Sequence, residues 1–212
     1  MLMTHPAVIF DFDGTIADTL PLLVKILNRL SAEFGYKELR EENLDELRAK
    51  DTREVLRHLG ISIFKLPFLV KKARVELNKE IEGLRLIKGI SEALLKVKTA
   101  GYKLGILTSN SEENVRKFLG NNGLQIFDFI YSGSSIFGKG KTLKNLLREQ
   151  NLKNNEVVYV ADETRDVKAA RKAGVKIVAV GWGFNSRQAL TKLKPDFLID
   201  EPAELIKVLE SL

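Results

Sequence analysis

The apolar run Ala7-Val8-Ile9-Phe10 leads straight into Asp11-Phe12-Asp13-Gly14-Thr15. A continuous apolar stretch of that length suits a strand buried on both faces. Beyond it the period becomes helical. Leu23, Ile26, Leu27, Leu30 and Phe34 recur at helical spacing between about Pro21 and Gly35, with Pro21 in the first turn, where proline is tolerated. A second helix is expected over Glu41–Ala49, and a third opens on the capping box Asp51-Thr52-Arg53-Glu54 and closes at Gly60. After Pro67 a basic helix runs over about Phe68–Glu82. No strand pattern interrupts the stretch from Thr19 to Gly83.

From Lys88 onward the chain alternates. Helices near Ile90–Ala100, Glu112–Leu119, Thr142–Glu149 and Arg165–Ala173 are interleaved with the apolar runs Tyr102–Leu107, Asp128–Tyr131, Val157–Ala161 and Val175–Val180. A last short strand, Phe197–Ile199, and a helix over Pro202–Leu209 complete the pattern. Helices of about ten residues between short apolar runs predict βαβ units and a parallel sheet. Right-handed crossovers then place helices on both faces. The expected fold is therefore α/β, a Rossmann-like doubly wound parallel sheet carrying an all-helical insertion. Residues 1–18 and 84–212 would form the core domain and 19–83 the insertion.

Composition narrows the function classes. The 212 residues suffice for a real core, and there is no cysteine, so no disulfide framework, thiolate metal site or cysteine nucleophile is available. Apolar runs stay far below membrane-span length, and Met1–Pro6 lacks the basic-then-apolar pattern of a signal peptide. A cytoplasmic location is expected. The net charge of +6 is distributed as Lys and Arg mixed with Asp and Glu, as in Arg40-Glu41-Glu42 and Arg53-Glu54. Such mixing marks solvated faces rather than a nucleic-acid surface. The most basic part, Lys139 to Lys176, overlaps the candidate site and suits a small anionic substrate. His5 and His58 read as incidental and Trp182 as a packing residue, whereas Arg53 and Lys72 could reach a substrate from the insertion. Oligomeric state, monomer or homodimer, is not legible.

Four strand tips carry chemistry. Asp11 and Asp13 follow the first strand, Thr108, Ser109 and Asn110 the second, Lys139 or Lys141 lies in the loop after the third, and Asp162, Glu163 and Asp166 follow the fourth. Parallel strands bring all four tips to one edge, where ligands bind in open α/β sheets. Carboxylates from two strands suit a hard divalent cation, and a lysine with hydroxyl and amide donors suits phosphate oxygens. A carboxylate can itself attack phosphorus. In that chemistry Asp11 is the nucleophile, while Asp13 protonates the leaving oxygen and later takes a proton from water.

The order Asp-x-Asp-Gly-Thr, a strand ending in Thr, a lysine, then Asp-x-x-x-Asp resembles the haloacid dehalogenase superfamily, in its phosphoglycolate phosphatase-like branch. The resemblance spans the chain and implies Asp11 as nucleophile, Asp13 as general acid/base, and Thr108 and Lys139 as phosphate ligands, with Ser109 and Asn110 beside them. It also implies Mg²⁺ on Asp11, the backbone carbonyl of Asp13, and Asp162, with Asp166 and Glu163 in support. The helical insertion resembles the family's cap, and Trp182-Gly183-Phe184-Asn185 a loop found after the fifth strand in some members. Ala161 departs from the usual glycine, and neither candidate lysine is followed by proline. Lys139 is preferred over Lys141 because Lys141 abuts the expected helix. The partner implied is a small phosphorylated metabolite such as phosphoglycolate. Asp13 argues against halide displacement, which needs no proton donor. A phosphomutase would keep every motif residue, and a non-catalytic binding protein could keep the fold, so both stand as alternatives.

Overall fold

The computed structural model describes residues 7–133 and 138–212; Met1–Pro6, with His5, lie outside the described residues. Six parallel strands form one sheet in the order β3-β2-β1-β4-β5-β6. They are β1 (Ala7–Phe10), β2 (Lys103–Thr108), β3 (Phe129–Ser132), β4 (Val157–Ala161), β5 (Lys176–Val180) and β6 (Phe197–Ile199). β1 is central, with Ile9 in register with Gly105 on one side and Tyr159 on the other. The chain order reverses here, which makes the carboxyl end of β1 the expected binding crevice.

The central strands β1 and β4 are apolar and buried throughout because both faces are covered. Alternate side chains serve different cores. Val8, Phe10, Leu104, Ile106, Val158 and Val160 pack against α5 (Ile90–Thr99), α6 (Glu112–Asn121) and α10 (Leu205–Glu210). Ala7, Ile9, Leu107 and Tyr159 face α7 (Lys139–Glu149), α8 (Thr164–Ala173) and α9 (Arg187–Lys192). Asp11 continues the parity of Ala7 and Ile9, so the strand delivers it toward α7 and α8.

The insertion is all-helical: α1 (Leu20–Phe34), α2 (Glu41–Arg48), α3 (Thr52–Leu59) and α4 (Leu66–Lys79). Ile26 and Leu30 of α1 pack on Leu69, Ala73 and Leu77 of α4, and Leu39, Leu47 and Leu59 form a second small cluster. The capping box is present: Asp51 Oδ1 accepts from the Arg53 and Glu54 amides at 3.0 and 3.1 Å, and Glu54 accepts from the Asp51 amide at 2.8 Å. The two segments that lead into and out of this cap pair with each other in one antiparallel bridge, Ala17 with Leu86. The Asp18 amide donates to the Arg85 carbonyl and the Ile87 amide to the Ile16 carbonyl, both at 2.9 Å. Among the described residues no helix is long and apolar enough to cross a membrane.

Two expectations need correction. α7 begins at Lys139 rather than Thr142, so Lys139 and Lys141 both lie in its first turn instead of a loop. Gly140, a weak helix former, lies where α7 runs over α8: a Cβ at Gly140 would stand 3.5 Å from the Ala169 Cα, an ordinary packing distance. The short α9 had no expected counterpart. Ser186 caps it, accepting from the Ala189 amide at 3.4 Å, and six residues are too few to display a period.

Candidate active site

Asp11 is buried at the tip of β1, 3 % exposed. The Phe12 amide donates to its Oδ1 at 2.8 Å. Its Oδ2 accepts from the Lys139 ammonium, which also pairs with Asp166 Oδ1 at 2.7 Å. One lysine from α7 thus bridges a carboxylate of β1 and one of α8. Tyr159 flanks the group, its hydroxyl donating to Asp166 Oδ1 at 3.4 Å. Burial opposes charge on Lys139, but Asp11 and Asp166 outweigh it and raise its pKa, so the ammonium persists at neutral pH. Burial pushes the Asp11 carboxyl up to about 7 despite the pull of Lys139. Lys141 is exposed.

Asp162 follows β4 and is fully buried. Thr15 Oγ donates to its Oδ1 at 2.8 Å, and the Phe184 amide to its Oδ2 at 2.7 Å. Backbone closes around this carboxylate from both sides: a Cβ on Gly14 or Gly183 would collide with it, and Gly14 sits at φ +78°. Burial, then Glu163, Asp11 and Asp166, raise its pKa well above the ordinary carboxylate value.

One carboxylate oxygen from each of Asp11, Asp162 and Asp166 lies within 4.8 Å of the others. Asp166 Oδ2 is buried without a hydrogen-bond partner. Three converging acids with an unpartnered oxygen fit a hard divalent cation. The Asp13 carboxyl is outside this trio and faces a cavity instead. Its Oδ1 has no hydrogen-bond partner, and burial pushes its pKa up to about 6 against the influence of Lys139 and Thr19. Glu163 likewise lies apart from the trio and pairs with Arg165.

At the end of β2, buried Thr108 Oγ accepts from the Asn110 amide at 2.9 Å. Asn110 Oδ1 accepts from the Ser111 amide at 2.8 Å, while its buried Nδ2 has no partner. Ser109 lines the cavity.

That cavity, about 300 Å³, lies between cap and sheet edge, with Asp13, Ser109, Glu163, Arg165 and Asn185 at the core end and Arg48 and Arg74 contributed by the cap. Neither Arg53 nor Lys72 lines it; Lys72 pairs with Glu33. Cap and core are fastened where the Trp182–Asn185 loop meets the end of α2. Asn185 Nδ2 donates to the carbonyls of Arg48 and Lys50 at 3.1 and 2.9 Å, and its Oδ1 accepts from the Thr164 amide at 2.8 Å. The Arg48 guanidinium returns a bond to the Gly183 carbonyl at 2.9 Å. Trp182 packs on the core and donates to the Thr15 carbonyl at 3.2 Å.

Thr15 closes the Asp-x-Asp-Gly-Thr motif at the exit from the sheet, but no spacing in the sequence ties it to Asp162. The contacts that Asn185 of the 182–185 loop makes with Arg48, Lys50 and Thr164 have no sequence signal of their own. Arg48 and Arg74 carried no signal that set them apart from other basic residues.

A family model described as haloacid dehalogenase-like hydrolase matches residues 8–180. A phosphoglycolate phosphatase of Synechococcus elongatus is 37% identical over 207 residues, covering 97% of this chain and 98% of the relative. The pyrophosphatase PpaX of Bacillus mycoides is 26% identical over 220 residues, covering 97% of each. Among solved structures, a haloacid dehalogenase-like family hydrolase from Streptococcus pneumoniae superposes with a TM-score of 0.80 at 21% identity, covering 98% of this chain and 99% of that one.

Proposed function

The chain belongs to the haloacid dehalogenase-like hydrolases, and we propose that it is a Mg²⁺-dependent phosphatase of small phosphate monoesters working through an aspartyl-phosphate on Asp11. The observation that carries this reading is the buried junction of Asp11, Lys139 and Asp166 beside Asp162. Lys139, the Thr108 hydroxyl, Ser109 and Asn110 bind and orient the phosphoryl oxygens as fixed donors in a site shielded from water. Asp11 attacks phosphorus as the ester P–O bond breaks, and Asp13 gives its proton to the departing alkoxide. Asp13 then takes a proton from the water that attacks the aspartyl-phosphate, releasing orthophosphate and restoring Asp11. A carboxyl near 6 can hold and move a proton at neutral pH. Asp11, Asp162 and the Asp13 carbonyl, supported by Asp166, would hold Mg²⁺, which supplies charge neutralisation on the transferring group.

The cap, for which we take 19–83, closes the site and selects the ester. Phosphoglycolate is the first substrate to try, supported by the Synechococcus relative and by the guanidiniums of Arg48, Arg74 and Arg165 around the cavity, which suit a carboxylate. The test is phosphate release from a panel of phosphorylated metabolites with Mg²⁺. Asp11→Asn should lower kcat by at least roughly 1,000-fold, and full turnover by that variant would overturn the mechanism.

A further inference from the structure

The cavity above Asp13 is larger than a two-carbon acid needs. On the phosphatase reading above, we propose that the site also takes phosphate monoesters with an apolar organic group of several carbons, seated inside the cap. The lining that holds Asp13 and Ser109 also includes residues between α1, α3 and α4, where Leu23, Leu27, Leu56, Leu59, Leu69 and Val70 form the walls. Its volume of about 300 Å³ reaches the lower end of the range that holds drug-sized ligands, roughly 300–1,000 Å³.

The polar lining gathers at one end. Arg48 is bonded to Gly183 of the core, Arg165 pairs with Glu163, and Arg74 lies in the electrostatic reach of both Asp13 and Arg165. A carboxylate one or two carbons from the phosphorus can meet those guanidiniums, and it leaves the leucine-walled part unfilled. Carboxylate there would lose its hydration with no donor to replace it. Leucine walls of this kind offer water few hydrogen-bond partners and favour apolar groups. A phosphoryl group held at Asp11 and Lys139 directs its ester substituent past Asp13 into this space, because the proton donor must stand beside the leaving oxygen.

The experiment is a kcat/KM series for n-alkyl phosphates from ethyl to hexyl, with phosphoglycolate alongside, on the full chain with Mg²⁺. Each added methylene that leaves water should raise kcat/KM roughly three- to fourfold. Ala73→Phe, which fills the cavity from α4, should flatten that slope, and Val70→Phe provides a second filling variant if the first fails to fold. A flat wild-type series, with ethyl phosphate and phosphoglycolate still hydrolysed, overturns the proposal. So does a slope that survives in a folded filling variant, since the preference would then arise elsewhere. Absence of phosphate release from every ester would instead strike the phosphatase reading itself.

Discussion

Replacing Lys139 by Met keeps most of the side-chain volume and removes the ammonium that Asp11 and Asp166 share. All three groups are at most 4 % exposed, so the stranded carboxylates have little water to turn to. Breaking a buried ion pair by removing one partner costs about 3–5 kcal/mol. In a chain of this size about 2–4 °C of melting temperature goes with each kcal/mol, so the expected loss is roughly 6–20 °C. The assay is thermal unfolding followed by circular dichroism in a chelating buffer at pH 7.5 and again at pH 5.5. The sign of the pH effect follows from the direction of the shift. Asp11 stands at about 7 even with Lys139 in place, above the ordinary carboxylate value, so its contribution to stability is present below that ordinary value and lost as pH rises through the folded pKa. Without the lysine the folded pKa of Asp11 climbs further, so the deficit of the variant should be greatest above pH 7 and shrink toward pH 5.5 as the Asp11 carboxyl takes up its proton. Lys141→Met, at an exposed position of the same helical turn, should stay within about 0.5 kcal/mol of wild type. A Lys139→Met protein that melts with wild type at pH 7.5, or whose deficit grows in acid, would refute the reasoning.

Thr15→Val preserves shape but removes the donor to Asp162 Oδ1, leaving the Phe184 amide on Oδ2. Calorimetric titration should show Mg²⁺ bound roughly 10–100-fold more weakly, with most of kcat regained at saturating metal. Asp51→Ala removes the cap of α3 and should cost about 1 kcal/mol, measured by denaturant unfolding. Hydrogen bonds from the Glu54 amide and the field of Lys168 hold Asp51 below its ordinary pKa. The difference from wild type should therefore be full at neutral pH and close as pH falls through that lowered value. Asn185→Leu keeps bulk and deletes the bonds to Arg48 and Lys50. Hydrogen exchange at the Ser186 amide, which donates to the Arg48 carbonyl at 2.9 Å, should then speed up by roughly tenfold.

The sheet was legible because its central strands are buried on both faces and so read as apolar runs. Even the strand tips could be placed, since parallel strands leave their carboxyl ends on one edge. The capping box at Asp51 and Glu54 is local chemistry, and local chemistry survives translation into structure. What the sequence hid is contact at long range. Arg53 and Lys72 looked as able to meet a substrate as Arg48 and Arg74, and only the packing of α2 and α4 on the core separates them. Asp166 was placed in a supporting role, yet Lys139 joins it to Asp11 because α7 and α8 pack closely enough over Gly140 for one lysine to span both. The spacing Asp-x-x-x-Asp puts Asp166 on the first turn of α8, but which element faces that turn cannot be read from spacing.

The loop from Trp182 to Asn185 touches both the acidic trio and the helical insertion. Its Phe184 amide holds Asp162, its Gly183 leaves room for that carboxylate, and its Asn185 holds the cap at Arg48 and Lys50. Asn185 also receives the Thr164 amide, at the start of the helix that carries Asp166. Cap position and the setting of the acidic trio therefore share one short segment of backbone. Moving the insertion away from this loop would break the two Asn185 bonds, the Ser186 to Arg48 bond and the Arg48 to Gly183 bond, which lie on residues beside the Asp162 donor Phe184. The position of the helical insertion and the geometry of the acidic cluster are thereby connected through neighbours in sequence, although Arg48 and Asp162 stand on α2 and at the tip of β4.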